Sequence, residues 1–477
     1  MTGRTMPVAV RLRYVEDVYG KNAGAEQRNY YRQHTAAAAV ILFSHLAGHH
    51  VPAAVQYGGY PDRRQLCGYP GAGGCGGNQL FVQLLVGLFV GLCSGAGVII
   101  AQSFGAGDHD EVNRQVHTAL ALAIAGGAAL TVIGLLISRP VLRLMQTPDE
   151  IVGMASEYLQ IYFLGMIPQM IYNMGTNILR AVGDSKRPLY FLIVASIVNI
   201  VLDIVLVAVI PLGVAGAAIA TVASQVVSAV LTVRCIHGSQ GMPWHLQLKN
   251  IRIERSVLLA ICRIGLPGAA QSALYSISNM TIQSAINGFG TVAVAAWSVY
   301  GKIDFLFWMT VSSFGIAVTT FAGQNFGARQ YDRVRRGTMT CLAMTAGTTL
   351  CISLALYPSA QLLFRLFSSD DAVVAQGVQM MHYLVPVYMT YICIEIFSGA
   401  LRGCGDVRVP TIITVFAVCI MRIVWLAVAL PFKHELSVVE FSYPLTWITA
   451  TVLFAIYYTK GGWMQRCIAA QNAKTQG

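Results

Sequence analysis

Asp203 is the residue of this chain best suited to do chemistry. It stands in the middle of the apolar run IVNIVLDIVLV, residues 197–207, where an ionised carboxylate is costly and ordinarily functional. Asn199 lies four residues earlier, so the helical period puts both side chains on one face. A carboxylate beside an amide can take H⁺ and become a neutral acid, or hold Na⁺ through its oxygens. Either change of charge could bias a protein with two arrangements. The plainer reading, an Asp that only hydrogen-bonds a neighbour, stays open. Glu395, in YICIEIFSGALRG (391–403), is the main acid of the second half, and packing and function are both open for it. Arg422, at the start of RIVW (422–425), stands inside a later apolar run and could be its partner. Lys302 and Asp304, in GKID, read as a structural pair near a membrane boundary, since charges near helix ends can snorkel. The Met and aromatic residues of GMIPQMIYNM (165–174) would suit an adaptable cavity, but they suit a lipid-facing or core surface equally well.

The elements that must position these residues come twice. QSFGAGDHDEVNR (102–114) and QNFGARQYDRVRR (324–336) agree at seven positions, Gly105 and Gly327 among them, each pair 222 residues apart. LRAVGDSKRP (179–188) and LRGCGDVRVP (401–410) share Leu, Arg, Gly, Asp and Pro at the same offset. Two matches at one offset indicate an internal duplication. Arg180 with Asp184, and Arg402 with Asp406, fall at helix–loop junctions where Gly183 and Gly405 suit a helix C-cap. They are expected to terminate and staple helix ends rather than to take part in transport. Pro267 removes a backbone donor and can loosen its helix.

Of the 477 residues, 55% are hydrophobic and 11% charged, and the mean hydropathy is +0.59. A soluble protein carries about 25% charged residues, so a large soluble enzyme is excluded. Apolar runs long enough to cross a bilayer, roughly 20 residues, are predicted near 79–103, 115–137, 153–179, 188–210, 213–235, 257–286, 291–322, 337–357, 376–400, 409–431 and 438–458. These divide the chain into an N-lobe (79–236), a linker (237–255), a C-lobe (256–459) and a tail (460–477).

Loops on the side of the repeat motifs, with the linker and tail, hold 18 Lys and Arg: Arg114, Arg180, Lys186, Arg187, Arg234, Lys249, Arg252, Arg255, Arg263, Arg329, Arg333, Arg335, Arg336, Arg402, Arg408, Lys460, Arg466 and Lys474. The opposite loops hold four: Arg139, Arg143, Arg365 and Lys433. This asymmetry makes the repeat loops cytoplasmic. It also accounts for the net charge of +11 without nucleic acid. The eleven cysteines show no metal-ligand spacing and read as small apolar packing residues. The polar first thirty residues do not resemble a signal peptide.

The second unit has six spans and the first only five. A sixth would fall near 35–77 and would put both termini in the cytoplasm. That stretch is broken by His45, His49, His50 and Pro52, then by a Gly-rich run with Arg63 and Arg64, which no bilayer helix resembles. Back-translated with suitable codons and read one base later, 34–77 yields an apolar helix with one Asp that rejoins the frame at Gly77-Asn78. Residues 1–78 are therefore expected to be an aberrant segment standing for a first helix lost to a frame error.

The chain resembles the multidrug and toxic compound extrusion (MATE) transporters, through GAGVIIAQSFGAGD (95–108), LRAVGDSKRP, PLGVAGAAIATVASQ (211–225), NGFGTVAVAAWSVYGKID (287–304), TTFAGQNFGAR (319–329) and LRGCGDVRVP. The resemblance covers 78–458 and implies an all-α membrane protein of twelve helices in two six-helix lobes about a central cavity. It implies export of organic cations and other amphipathic compounds in exchange for Na⁺ or H⁺, and a monomer in a prokaryotic plasma membrane. In one prokaryotic branch the N-lobe cation site uses Asn and Asp on the fifth helix, Thr on the sixth, Asn on the fourth and Asp on the first. These positions correspond to Asn199, Asp203, Thr221 and Asn173, with no counterpart for the first-helix Asp in the chain as written. An acidic pair that some relatives place on the seventh and tenth helices does not carry over, because 266–286 has no acid.

No phosphate-binding loop, HExxH or nucleophile elbow is present. The chain is therefore expected to be a non-enzyme without a cofactor, binding no metal beyond transported Na⁺. Three rivals remain. A lipid-linked oligosaccharide flippase of the same superfamily would need a strongly cationic cavity, whereas Arg422 is the one arginine clearly inside a later span. A membrane scaffold without transport would leave efflux indifferent to Asp203→Asn. The third is an inactive product of a frameshifted transporter gene.

Overall fold

A computed structural model describes residues 72–144, 149–210 and 212–476. The first unit consists of α1 (Ala72–Ala106), α2 (His109–Leu144), α3 (Asp149–Leu164), α4 (Met166–Ala181), α5 (Lys186–Asp203) and α6 (Gly213–His237). The second consists of α7 (Arg255–Asn287), α8 (Thr291–Gly327), α9 (Tyr331–Phe367), α10 (Asp371–Leu384), α11 (Tyr388–Gly403), α12 (Arg408–Thr414), α13 (Met421–Phe432) and α14 (Leu436–Lys460), followed by α15 (Trp463–Gln476). Helix starts at 109, 149, 166 and 186 recur at 331, 371, 388 and 408, each 222 residues later. The duplication read from two short motifs thus extends through the architecture. By the same offset the counterpart of α7 is 33–65, and the expected aberrant segment, 1–78, lies outside the described residues except for 72–78, which begin α1.

Among the described residues ten helical runs are long and apolar enough to cross a membrane, and the chain is a multi-pass membrane protein. The span expected at 153–179 is two 16-residue helices, α3 and α4, meeting at Gly165. The same interruption recurs at Val385–Val387, where a single 3-10 turn joins α10 to α11. A proline lies at each, Pro168 in the first turn of α4 and Pro386 in the 3-10 turn, and proline removes a donor that an unbroken helix would use. Large apolar side chains such as Leu136 and Phe432 are 71% and 88% exposed, as suits a surface that faces lipid.

Each unit has its own apolar core. Cys93, Leu120, Phe163, Met166 and Met170 are at the centre of the first, and Phe307, Phe364, Tyr388, Trp447 and Phe454 at the centre of the second. The two lobes meet along α1, which packs on both α7 and α8. Gly91 and Gly95 face Gly265 and Ala269 there, and a Cβ on Gly91 would stand 2.6 Å from the Ala269 backbone nitrogen. Small residues let the two backbones approach closely, the usual way helices gain van der Waals contact in lipid. The linker at 238–254 lies against α2. Asn113 Nδ2 donates to the carbonyls of Pro243 and His245, and Arg114 pairs with Glu254 at 2.6 Å.

Candidate functional site

Asp203 is the last α-helical residue of α5, and the chain passes directly into a π-helical turn, Ile204–Val209. Such turns inside helices are rare and frequent at functional sites. Asp203 is half-buried, and its Oδ1 is fully buried without a hydrogen-bond partner among the described residues. Asn199, one turn earlier, is also half-buried. Thr221, on the adjacent α6, donates its hydroxyl to the Ala217 carbonyl, which leaves its oxygen free to accept. Asn173, on α4, supplies its backbone carbonyl to Thr176 and Asn177. Among the described residues no hydrogen bond joins these four side chains to one another. In the second lobe α7 packs against α12, the Val415–Ile420 π turn and α13. Among the ten candidate spans of the described residues, the one that contains α5 is the least buried.

The second constellation lies between the lobes. A cavity of about 110 Å³ is walled by Ser94, Gly97, Val98, Asn177 and Arg180 of the N-lobe and by Gly315, Ile316, Thr319, Thr320, Glu395 and Arg402 of the C-lobe. The 222-residue offset relates Arg180 to Arg402, so the two guanidinium groups are duplicate copies in one space. It relates Glu395 to Asn173, so the carboxylate has no duplicate. Arg402 Nη2 lies 3.9 Å from Glu395 Oε1, and Tyr391 donates its hydroxyl to Glu395 Oε2 at 3.4 Å. Gly315 makes room, since a Cβ there would overlap the Glu395 carboxylate.

Three sequence expectations are corrected here. Arg180 and Arg402 were expected to staple helix ends, but their side chains line the central cavity. The stapling belongs to the backbone of the same motif. Gly183 and Gly405 take φ of +92° and +90°, and Asp184 N and Asp406 N bond back to the Leu179 and Leu401 carbonyls at 2.8 and 3.0 Å, the Schellman ending of a helix. Asp184 pairs with Arg187 at 3.3 Å, and Asp406 accepts from the Tyr457 hydroxyl at 2.6 Å. Second, Arg422 makes no ion pair with Glu395. It is 2% exposed, stacks over Tyr443 at 4.5 Å and donates to Thr446. Third, Arg422 is not the one arginine set inward, because two others face the cavity. The signal for the Glu395–Arg402 pairing was present in the sequence, as the two are seven residues apart and so two turns along one helical face. Ser94, Asn177, Thr319 and Thr320 carried no such signal.

Below the cavity the repeat motifs cross. Gln102 Nε2 donates to the Gly403 carbonyl and Gln324 Nε2 to the Ala181 carbonyl, both at 2.7 Å. Ala181 and Gly403 are the last residues of α4 and α11, whose end carbonyls lack partners within their own helices. Each lobe therefore caps a helix of the other. Gly105 and Gly327 permit the crossing, since a Cβ on either would overlap the backbone carbonyl of Gln324 or Gln102 respectively. In this arrangement the lobes are closed together on the side of the repeat loops.

The MatE sequence model matches residues 72–205 and 267–428, one segment in each lobe. The chain belongs to the MatE family. Members of this family are transporters. The chain is 28% identical over 385 residues to the probable multidrug resistance protein YoeA of Bacillus subtilis, a match that covers 79% of this chain and 82% of that one. It is 26% identical over 402 residues to the probable multidrug resistance protein YpnP of the same organism, covering 83% and 88%. Among solved structures, a multidrug resistance MATE family transporter of the MOP superfamily in its outward-facing conformation superposes with a TM-score of 0.81 at 21% identity, covering 91% of this chain and 96% of that one. The MATE fold, expected from the sequence as two six-helix lobes, is thus the fold of this chain.

Proposed function

We propose that this MatE-family chain is a secondary multidrug exporter. It carries amphipathic small molecules out of the cytoplasm in exchange for Na⁺ or H⁺ by rocking its two lobes about the central cavity. Its place is a prokaryotic plasma membrane, with the repeat loops, linker and tail in the cytoplasm, and it works as a monomer. The observation that carries this reading is the reciprocal capping of α4 and α11 by Gln324 and Gln102. A closure made of a few hydrogen bonds and a glycine crossing can open and re-form, as alternating access about an inter-repeat site requires. Asp203 supplies the coupling acid. Its Oδ1 is oriented without a partner inside a span, and protonation or Na⁺ would meet that need. Asn199, Thr221 and Asn173 complete the ion's surroundings.

The test uses proteoliposomes loaded with an amphipathic fluorescent dye under imposed ion gradients. Uphill dye movement should follow a Na⁺ or H⁺ gradient and stop when an ionophore collapses it. Uphill movement with both gradients abolished would refute the coupling. An Asp203→Asn protein that inserts normally and exports at the unaltered rate would remove Asp203 from the coupling, and no gradient-driven movement in wild type would support a scaffold instead.

A further inference from the structure

Among the described residues, charge in the central cavity does not balance. Its lining holds two guanidinium groups, Arg180 and Arg402, and one carboxylate, Glu395. The contact between Arg402 and Glu395 is 3.9 Å, well beyond the roughly 2.7–2.9 Å of a hydrogen-bonded ion pair. Arg402 Nε is buried with no partner. Among the described residues Arg180 makes no ion pair. A cation inside membrane helices ordinarily finds a counter-charge, and here the described residues of the lining supply one carboxylate for two.

From this we infer that the central cavity is a binding site for the anionic head of an amphiphile, a carboxylate, sulfonate or phosphate held between Arg180 and Arg402. Arginine forks present paired donors matched to such planar or tetrahedral oxyanions. Glu395 is the internal carboxylate that the incoming anion displaces from Arg402. At about 110 Å³ the cavity falls below the ~300 Å³ of a drug-sized site, so it encloses the head while the apolar part extends between the lobes past Val98 and Ile316. An anion also offsets the surplus positive charge, which an organic cation would increase. The inference departs from the organic cations that the sequence resemblance implies. It deepens the transport reading and rests on it for the direction of movement, but not for binding.

The experiment is equilibrium binding to the purified full chain in neutral detergent without any ion gradient, so its result does not depend on coupling. The probes are dansyl taurine, an amphipathic sulfonate followed by fluorescence anisotropy, and radiolabelled tetraphenylphosphonium, an amphipathic cation. Wild type should bind dansyl taurine, and Arg180→Gln or Arg402→Gln should each weaken it about ten-fold or more, the scale of a lost charge-assisted contact. Glu395→Gln should tighten it several-fold by removing the competing carboxylate, a gain that misfolding cannot mimic. Competition by phosphatidylglycerol in mixed micelles would support the site as one for a lipid head, and its failure to compete would support a soluble amphiphile. No wild-type binding of dansyl taurine, binding of tetraphenylphosphonium alone, or weaker dansyl taurine binding in Glu395→Gln would overturn the proposal. Dansyl taurine binding without gradient-driven export would instead count against the transport reading alone.

Discussion

Asp203 and Arg329 are two residues held in costly settings, with different consequences. Asp203→Asn keeps the volume and removes the charge, so the protein should insert and melt as wild type does. Gradient-driven export should fall about ten-fold or more, about 1.4 kcal/mol of lost coupling. Thermal unfolding in detergent and dye export measured on the same preparation separate the two effects. Arg329 closes α8 with φ of +58°, where the duplicate position, Gly107, has φ of +75°. A side chain in that region costs about 1–2 kcal/mol. Arg329→Gly should therefore raise the melting temperature while leaving export unchanged, and a lower melting temperature would show that the side chain's other contacts outweigh the strain. Much of this scale was legible beforehand. Asp203 declared itself by an acid in an apolar run, and the two glycines of LRxxGD by the cap they form. The inward direction of Arg180 and Arg402 was not legible. An arginine one residue from a helix end can reach out to water or fold back along its helix, and side-chain torsions decide between the two.

At the scale of elements, the crossing of α1 and α8 and the caps on α4 and α11 determine how firmly the repeat-loop side, cytoplasmic in the proposed orientation, stays shut. Two hydrogen bonds at about 1 kcal/mol each amount to about 2 kcal/mol, which shifts a two-state balance roughly thirty-fold. Gln102→Ala with Gln324→Ala should expose the cavity from the cytoplasmic side. The readout is the labelling rate of a cysteine at Asn177, in a cysteine-depleted background, by an impermeant thiol reagent applied to inside-out vesicles. Gly105→Leu should raise it further, because the crossing itself then cannot form. Unchanged labelling in both would show that other contacts hold the lobes. The linker has its own fastening. Glu254 accepts from Arg114 and Arg252, and this hydrogen bonding, Arg114's first, holds its carboxyl below the ordinary glutamate range. The folded value being the lower one, the tie is fully present at neutral pH and is lost as pH falls through that value. Glu254→Gln should reproduce the loss at pH 7 as faster hydrogen exchange across 242–254, with export intact.

Across the whole molecule, hydropathy carried most of the architecture, because lipid leaves a spanning chain few options besides helix. Eleven expected spans correspond to helices, and the duplication found in two motifs recurs in the helix starts. The breaks at Gly165 and Val385–Val387 were hidden, since they lie inside continuous apolar runs. The lining of the central cavity that the resemblance implied was hidden as well, because it is built from residues of two lobes that no local spacing relates. The one expectation that lies outside the described residues concerns 33–65, the duplicate of α7. A chain with 34–77 read one base later should gain an apolar helix carrying an acid over the face of α5 that bears Asp203. That chain should exceed the present one in coupled export by about ten-fold or more, whereas equal rates would show that the first helix is dispensable.

The central claim is that an ion gradient drives export through Asp203, and one measurement tests it most directly. Proteoliposomes containing wild type or Asp203→Asn would be given opposed Na⁺ and H⁺ gradients in turn, and the uphill movement of an amphipathic dye followed with time. The account predicts uphill movement in wild type under one of the two gradients, its loss on adding the matching ionophore, and its absence in Asp203→Asn despite normal insertion. Uphill movement that survives the ionophores, or that is as fast in Asp203→Asn as in wild type, would contradict it.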